Sequence, residues 1–184
     1  MLNTILGSFS SGVAPLAPGS YESIATVTVG SGGSSTITFN SIPTDYTHLQ
    51  VRGIARTNST TQDFFIIKPN NANLSARHGM SGDGNAVTGQ GSTSVFDFGI
   101  ITKSNDLSNT FAVMVLDILD YQNTNKNKTV RLFTANDLNG SGQVNFFSGL
   151  YNTTTAISSL VLATYSGTSY GQYSQFALYG IKGA

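Results

Sequence analysis

Residues 129–151 read TVRLFTANDLNGSGQVNFFSGLY. Two runs rich in Val, Leu, Phe and Thr, apolar and polar by turns, flank Asn139-Gly140. Side chains alternate faces along a strand, so each run reads as one strand with a buried side and a wetted side. Asn and Gly both tolerate positive φ, and the pair between two such runs marks a tight hairpin turn. The stretch is therefore a β-hairpin, and the chain on either side of it repeats the pattern.

Toward the C-terminus come ISSLVLATY and YSQFALYGIK, set apart by NTTT and SGTSYG. Toward the N-terminus, FAVMVLDILDY is long enough to cross a whole sheet, SVFDFGII is another candidate, and DFFIIK is a two-sided apolar run ending at Pro69. In HLQVRGIAR, Leu49, Val51 and Ala55 read as inward and His48, Gln50, Arg52 and Arg56 as outward. STITF places Ile37 and Phe39 on one side. The first strand is expected to carry Tyr21, Ser23, Ala25, Val27 and Val29 on one face, with Thr26 and Thr28 opposite. About nine or ten short strands with frequent turns predict an all-β fold, an antiparallel β-sandwich or barrel, and β-branched and aromatic enrichment agrees.

The 184 residues are enough for one domain. Lys plus Arg and Asp plus Glu number nine each, and charged residues make up 10% of the chain, against about 25% in an ordinary soluble protein. Scattered basic residues supply no cluster to displace counterions from phosphate, so no nucleic acid is expected as a partner. With 39% hydrophobic residues the chain has the apolar surface to fold. Cysteine is absent, which removes disulfides and thiolate chemistry. No apolar run reaches about 18 residues, so no membrane-spanning helix is expected. Ser, Thr, Asn, Gln and Gly fill the positions where charge would normally stand. Such a neutral exterior suits a subunit packed in an assembly, the other reading being a low-charge secreted β-protein.

Two stretches stand apart. NNANLSARHGMSGDGNAVTGQG (residues 70–91) has little periodicity; it is either a projecting contact loop, with Asn70, Asn71, Arg77, His78 and Asp83 as its candidate contact residues, or a pair of short strands. At the N-terminus, Leu2, Ile5, Leu6 and Phe9 fall at helical spacing along one face. So short a helix is not stable alone in water. The stripe therefore reads as an arm, residues 1–19, anchoring the 20–184 domain to another copy or to a shell, with Pro15 and Pro18 as a stiff link. Ser8, Ser10 and Ser11 interrupt what would be a signal peptide's apolar region, so the segment is expected in the mature protein.

Candidate chemistry is sparse. His48 and His78 have no second ligand at a metal-binding spacing. Asp117 and Asp120, three apart on a strand, point to opposite faces and cannot jointly grip a bond. If Asp117 shares an inward face with Val115 and Leu119, it needs a buried donor or an Arg. SGDGN (residues 81–85) and NDLNGSG (136–142) loosely resemble calcium loops but lack the closing bidentate glutamate, and Glu22 is the chain's one glutamate. No catalytic residue, metal or cofactor is expected, and the chain does not read as an enzyme.

The string from Ser10 to Arg56, with Ile42-Pro43 followed by Tyr46, His48 and Leu49, resembles the start of a family of small virion proteins of tailed bacteriophages, particularly phages of cyanobacteria. DILDYQNTNKNKT (117–129) and YSQFALYGIKGA (173–184) are similar to the same family. The resemblance implies a structural protein on the external surface of a virion and supplies no catalytic residues. Its partners would be further copies of itself, as a homotrimer, and the major capsid or other virion proteins. A jelly-roll cement or decoration subunit stabilising the head is the expectation; a tail-fibre protein contacting host-surface glycans is the alternative. A carbohydrate-cleaving enzyme using Asp117 or Asp120 is a third.

Overall fold

Alternating side chains build strands wherever the sequence alternates, and a computed structural model describes them over residues 19–93 and 98–183. The four residues Leu2, Ile5, Leu6 and Phe9 lie outside the described residues. Twelve strands and no helix occur among those described: β1 (Tyr21–Thr28), β2 (Thr36–Phe39), β3 (His48–Ala55), β4 (Asp63–Pro69), β5 (Ala76–Gly82), β6 (Val87–Ser92), β7 (Phe98–Ile101), β8 (Ala112–Ile118), β9 (Lys128–Asp137), β10 (Gly142–Tyr151), β11 (Leu160–Thr164) and β12 (Gln175–Ile181).

An eight-stranded sheet runs β1-β12-β3-β8-β9-β10-β5-β6 and a four-stranded sheet runs β2-β11-β4-β7. Neighbouring strands are antiparallel throughout. The inner faces share one hydrophobic core. Ile37, Phe39, Phe65, Ile67, Phe98, Leu160 and Leu162 come from the small sheet; Leu49, Val51, Met114, Leu116, Leu132, Phe147, Phe176 and Leu178 come from the large one. Burying these side chains is the main drive for folding. The result is an all-β sandwich.

The hairpin read at residues 129–151 is present as β9–β10. Asn139 and Gly140 take φ of 59° and 107°, and the Leu138 N–H donates to the Ser141 carbonyl at 2.8 Å. The expected inner faces of β2 and β3 are also found.

Two expectations need correction, and two open points are decided. In β1 the register shifts between Ser23 and Ala25. An extra residue there turns the strand over, so Tyr21 and Ser23 are exposed while Ile24, Ala25 and Val27 pack toward the core. Residues 70–91 take the second of their two readings rather than that of a projecting loop: they form a turn and then the antiparallel pair β5 and β6. Glycines at 79, 82, 89 and 91 dilute their apolar alternation, so period-two counting misses them. FAVMVLDILDY yields a strand of ordinary length, because the chain leaves the sheet after Ile118 and Asp120 adopts φ 49°. Asp117 lies on the outer face with Val115 and Leu119, and the inward residues of β8 are Ala112, Met114, Leu116 and Ile118.

Polar networks, one around a buried Asp and one around a half-buried Arg, fasten the connections between strands. Asp63 is fully buried on β4 and accepts hydrogen bonds from the Thr57 hydroxyl at 2.9 Å, the Ser166 N–H at 2.9 Å and hydroxyl at 2.6 Å, and the Thr168 hydroxyl at 3.1 Å. Arg56 gathers the β7–β8 connection, donating to the carbonyls of Ser104, Asp106, Leu107 and Thr110 at 2.8–3.0 Å. A buried charge without such partners would cost several kcal/mol, on the order of the desolvation penalty per ion.

Candidate functional site

The five contact residues proposed from residues 70–91 do not converge. Asn70 and Asn71 occupy the turn after β4 with φ of 47° and 60°. Asn70 is committed to structure: its amide oxygen accepts the Ser158 and Ser159 N–H groups at 2.9 and 3.2 Å, and its amide nitrogen donates to the Ala156 carbonyl at 2.8 Å. Arg77 faces inward from β5, its guanidinium 5.0 Å from the Phe147 ring centre. His78 faces outward beside Ser148. Asp83 sits in the β5–β6 turn, at the far end of β5 from Asn70. The N–H groups of Ala86 and Asn85 donate to its Oδ1 at 2.9 Å each and hold its carboxyl below the usual range.

The turns containing SGDGN and NDLNGSG are brought together at that far end. They border open clefts of about 430 and 280 Å³ that share Asp83, Asn136, Gly142 and Gln143. The nearby acids are occupied. Asp137 Oδ1 accepts the Asn139 N–H, and Asp106 accepts the Lys103 N–H while pairing with its ammonium at 3.4 Å. Among the described residues no three His, Asp or Glu side chains are grouped to hold a metal ion.

Asp117 and Asp120 are likewise separated in role. Asp117 accepts from Gln50 at 2.7 Å and pairs with Arg131 at 3.3 Å on the outer face. Asp120 sits in the turn after β8, where its N–H donates to His48 Nδ1 at 3.0 Å and its carboxylate pairs with Lys126. Lys126 first, and His48 more weakly, hold the Asp120 carboxyl below its ordinary value.

The three strings that carry the family resemblance meet around this turn. Tyr121 donates its hydroxyl to the Pro43 carbonyl, and Tyr46 donates to Glu22 at 2.8 Å. The bond to Glu22 pushes the Tyr46 phenol up to about 12. Gly180 packs beneath the Tyr46 ring, and Lys128 is buried with its ammonium on the carbonyls of Thr154 and Thr155 at 2.7 Å each. These groups fasten one end of the sandwich.

The most unusual surface is the outer face of the eight-stranded sheet. Strand register sets Val144, Ala135, Val113 and Ile54 in one row, and Met80, Phe146, Phe133 and Val115 in the next. Of these, Ile54, Val113, Phe133, Val144, Phe146 and Met80 are 38–54% exposed. A third row is polar: His78, Ser148, Arg131, Asp117, Gln50 and Tyr179. There Tyr21 and Tyr179 stack at 4.8 Å with Arg52 over both rings. Contiguous exposed apolar patches mark interaction surfaces in soluble proteins. The sequence carries the signal in strands apolar on both faces, Leu132 inward and Phe133 outward, but periodicity alone does not say which outward residues become neighbours. Comparison with protein-family models, curated proteins and solved structures gave no match.

Proposed function

We propose that the chain is a non-enzymatic structural subunit of a virion, an external cement or decoration protein that stabilises a tailed-phage head as a homo-oligomer. The observation that carries the reading is the apolar belt on the large sheet of a cysteine-free sandwich in which only 10% of residues are charged. Such a face gains stability when a neighbour covers it. Cement works the same way: modest contacts across subunit seams add stability to the assembled shell by mass action.

Two further points support this reading. The first is the three-stretch resemblance to tailed-phage virion proteins. The second is topology. Setting aside the hairpins β5–β6 and β9–β10, the remaining strands run β1-β12-β3-β8 in one sheet and β2-β11-β4-β7 in the other. We read this order, with successive strands passing between sheets, as the double Greek key of a jelly roll enlarged by two hairpins. The sequence-based expectation of a trimer enters the proposal as one element of the oligomer. The tail-fibre alternative has less to rest on, since its contact residues are dispersed and Asn70 is engaged in the fold.

Quantitative mass spectrometry of purified particles, with a particle reconstruction, tests the proposal. The expected result is a copy number comparable to that of the major shell protein and density on the outer surface. A copy number that is a small fraction of the shell protein's, or absence from the particle, overturns it.

A further inference from the structure

We propose that the outer face of the eight-stranded sheet is an isologous interface between two copies of this chain, packed face to face about a two-fold axis that runs midway between the two sheets and perpendicular to their strands. The inference rests on the self-association in the reading above but not on its location in a virion, so either can fail alone.

The occupant follows from the face's own chemistry. Its two central rows carry no acidic side chain, and Arg52 at one margin is their one charge. Charge lies along β9 instead, whose outward residues read Arg131, Phe133, Ala135 and Asp137. The strand therefore presents a cation, two apolar groups and an anion in order. When two copies meet with β9 antiparallel, Phe133 and Ala135 of each fall between those of the other. Each Arg131 then stands over the opposite copy's Asp137. A two-fold axis running along β9 would instead set Arg131 against Arg131 and Asp137 against Asp137, so complementarity selects the axis perpendicular to the strands.

The area suffices. Eight strands about 4.8 Å apart and roughly 23 Å long make a face on the order of 850 Å², and a standard stable interface buries about 800 Å² from each partner. Two twisted sheets pack in aligned fashion at about −30°, as in any aligned β-sandwich. A two-fold contact gives an even number of copies, a dimer or, with a three-fold contact elsewhere, a pair of trimers.

The test uses the full chain in solution, with mass measured by light scattering over a concentration series. Wild type is expected as an even-numbered oligomer. Arg131→Glu and Asp137→Arg should each weaken association at least tenfold, because like charges then meet twice. The double variant R131E/D137R should recover to within about threefold of wild type. Because the chain has no native cysteine, Ala135→Cys, close to the axis, should give a covalent dimer with a bis-maleimide reagent long enough to span the roughly 10 Å between packed sheets, while Thr60→Cys in an exposed loop should not. Circular dichroism and the denaturation midpoint confirm that each variant folds. A monomer or an odd-numbered oligomer, no recovery in the double variant, or equal cross-linking at both cysteine positions overturns the proposal.

Discussion

At Asp120 one residue performs three tasks. Its left-handed backbone turns the chain out of β8, its N–H holds His48, and its carboxylate pairs with Lys126. The folded-state pKa is depressed, so the unfolded chain binds more protons in the acid range and stability rises with pH there. The contribution is present above the unfolded value of about 4 and is lost as pH falls through the folded value. Asp120→Asn keeps a residue that tolerates positive φ and removes the charge. Its urea midpoint should change less between pH 5 and pH 3 than that of wild type, by roughly the single titration involved; an unchanged slope would remove the Lys126 pair from the account. Gly180 provides a steric counterpart. A Cβ there would lie 2.3–2.4 Å from the Tyr46 ring, so Gly180→Ala should cost about 1–3 kcal/mol in equilibrium unfolding. Tyr46→Phe should remove the titration at about 12 from the alkaline absorbance profile.

At the scale of elements, the turn between β4 and β5 connects the two sheets, since β4 belongs to the small one and β5 to the large one. Asn70 holds this crossing against residues 156–159 through its side-chain amide. Asn70→Ala loses these bonds and gains left-handed strain, for an expected loss of about 1–3 kcal/mol. Asn70→Gly relieves the strain alone, so it should recover only part of the loss in a chemical denaturation series. As sequence, this Asn- and Gly-rich segment reads equally as a contact loop or as paired strands. The amide is needed inside the fold, which is why the residue looked functional. The β1 bulge was equally hidden: an inserted residue reverses every later side chain, and no composition signal marks it.

For the whole molecule, the outer face of the large sheet is the feature that the proposed function must explain. Phe133, Phe146 and Met80 stand on three neighbouring strands, and only pairing of β5 with β10 and β10 with β9 makes them adjacent. The same pairing brings the turns near Asp83 and Asp137 to one end. The two hairpins widen one sheet from four strands to eight, and that widening creates most of the face that the proposed dimer buries.

What the sequence determined by itself was local. Alternation specified strands and the inward sides of β2 and β3, and Asn139-Gly140 specified a hairpin, because φ, ψ preference and side-chain direction are properties of neighbours in the chain. What only the tertiary structure decided was non-local: which strands pair, where the β1 register slips, that Asn70 is an anchor, and that scattered outward Ile, Val, Phe and Met residues form one belt. Those outcomes depend on the free energy of burying surfaces from distant segments against each other, which no window of sequence contains.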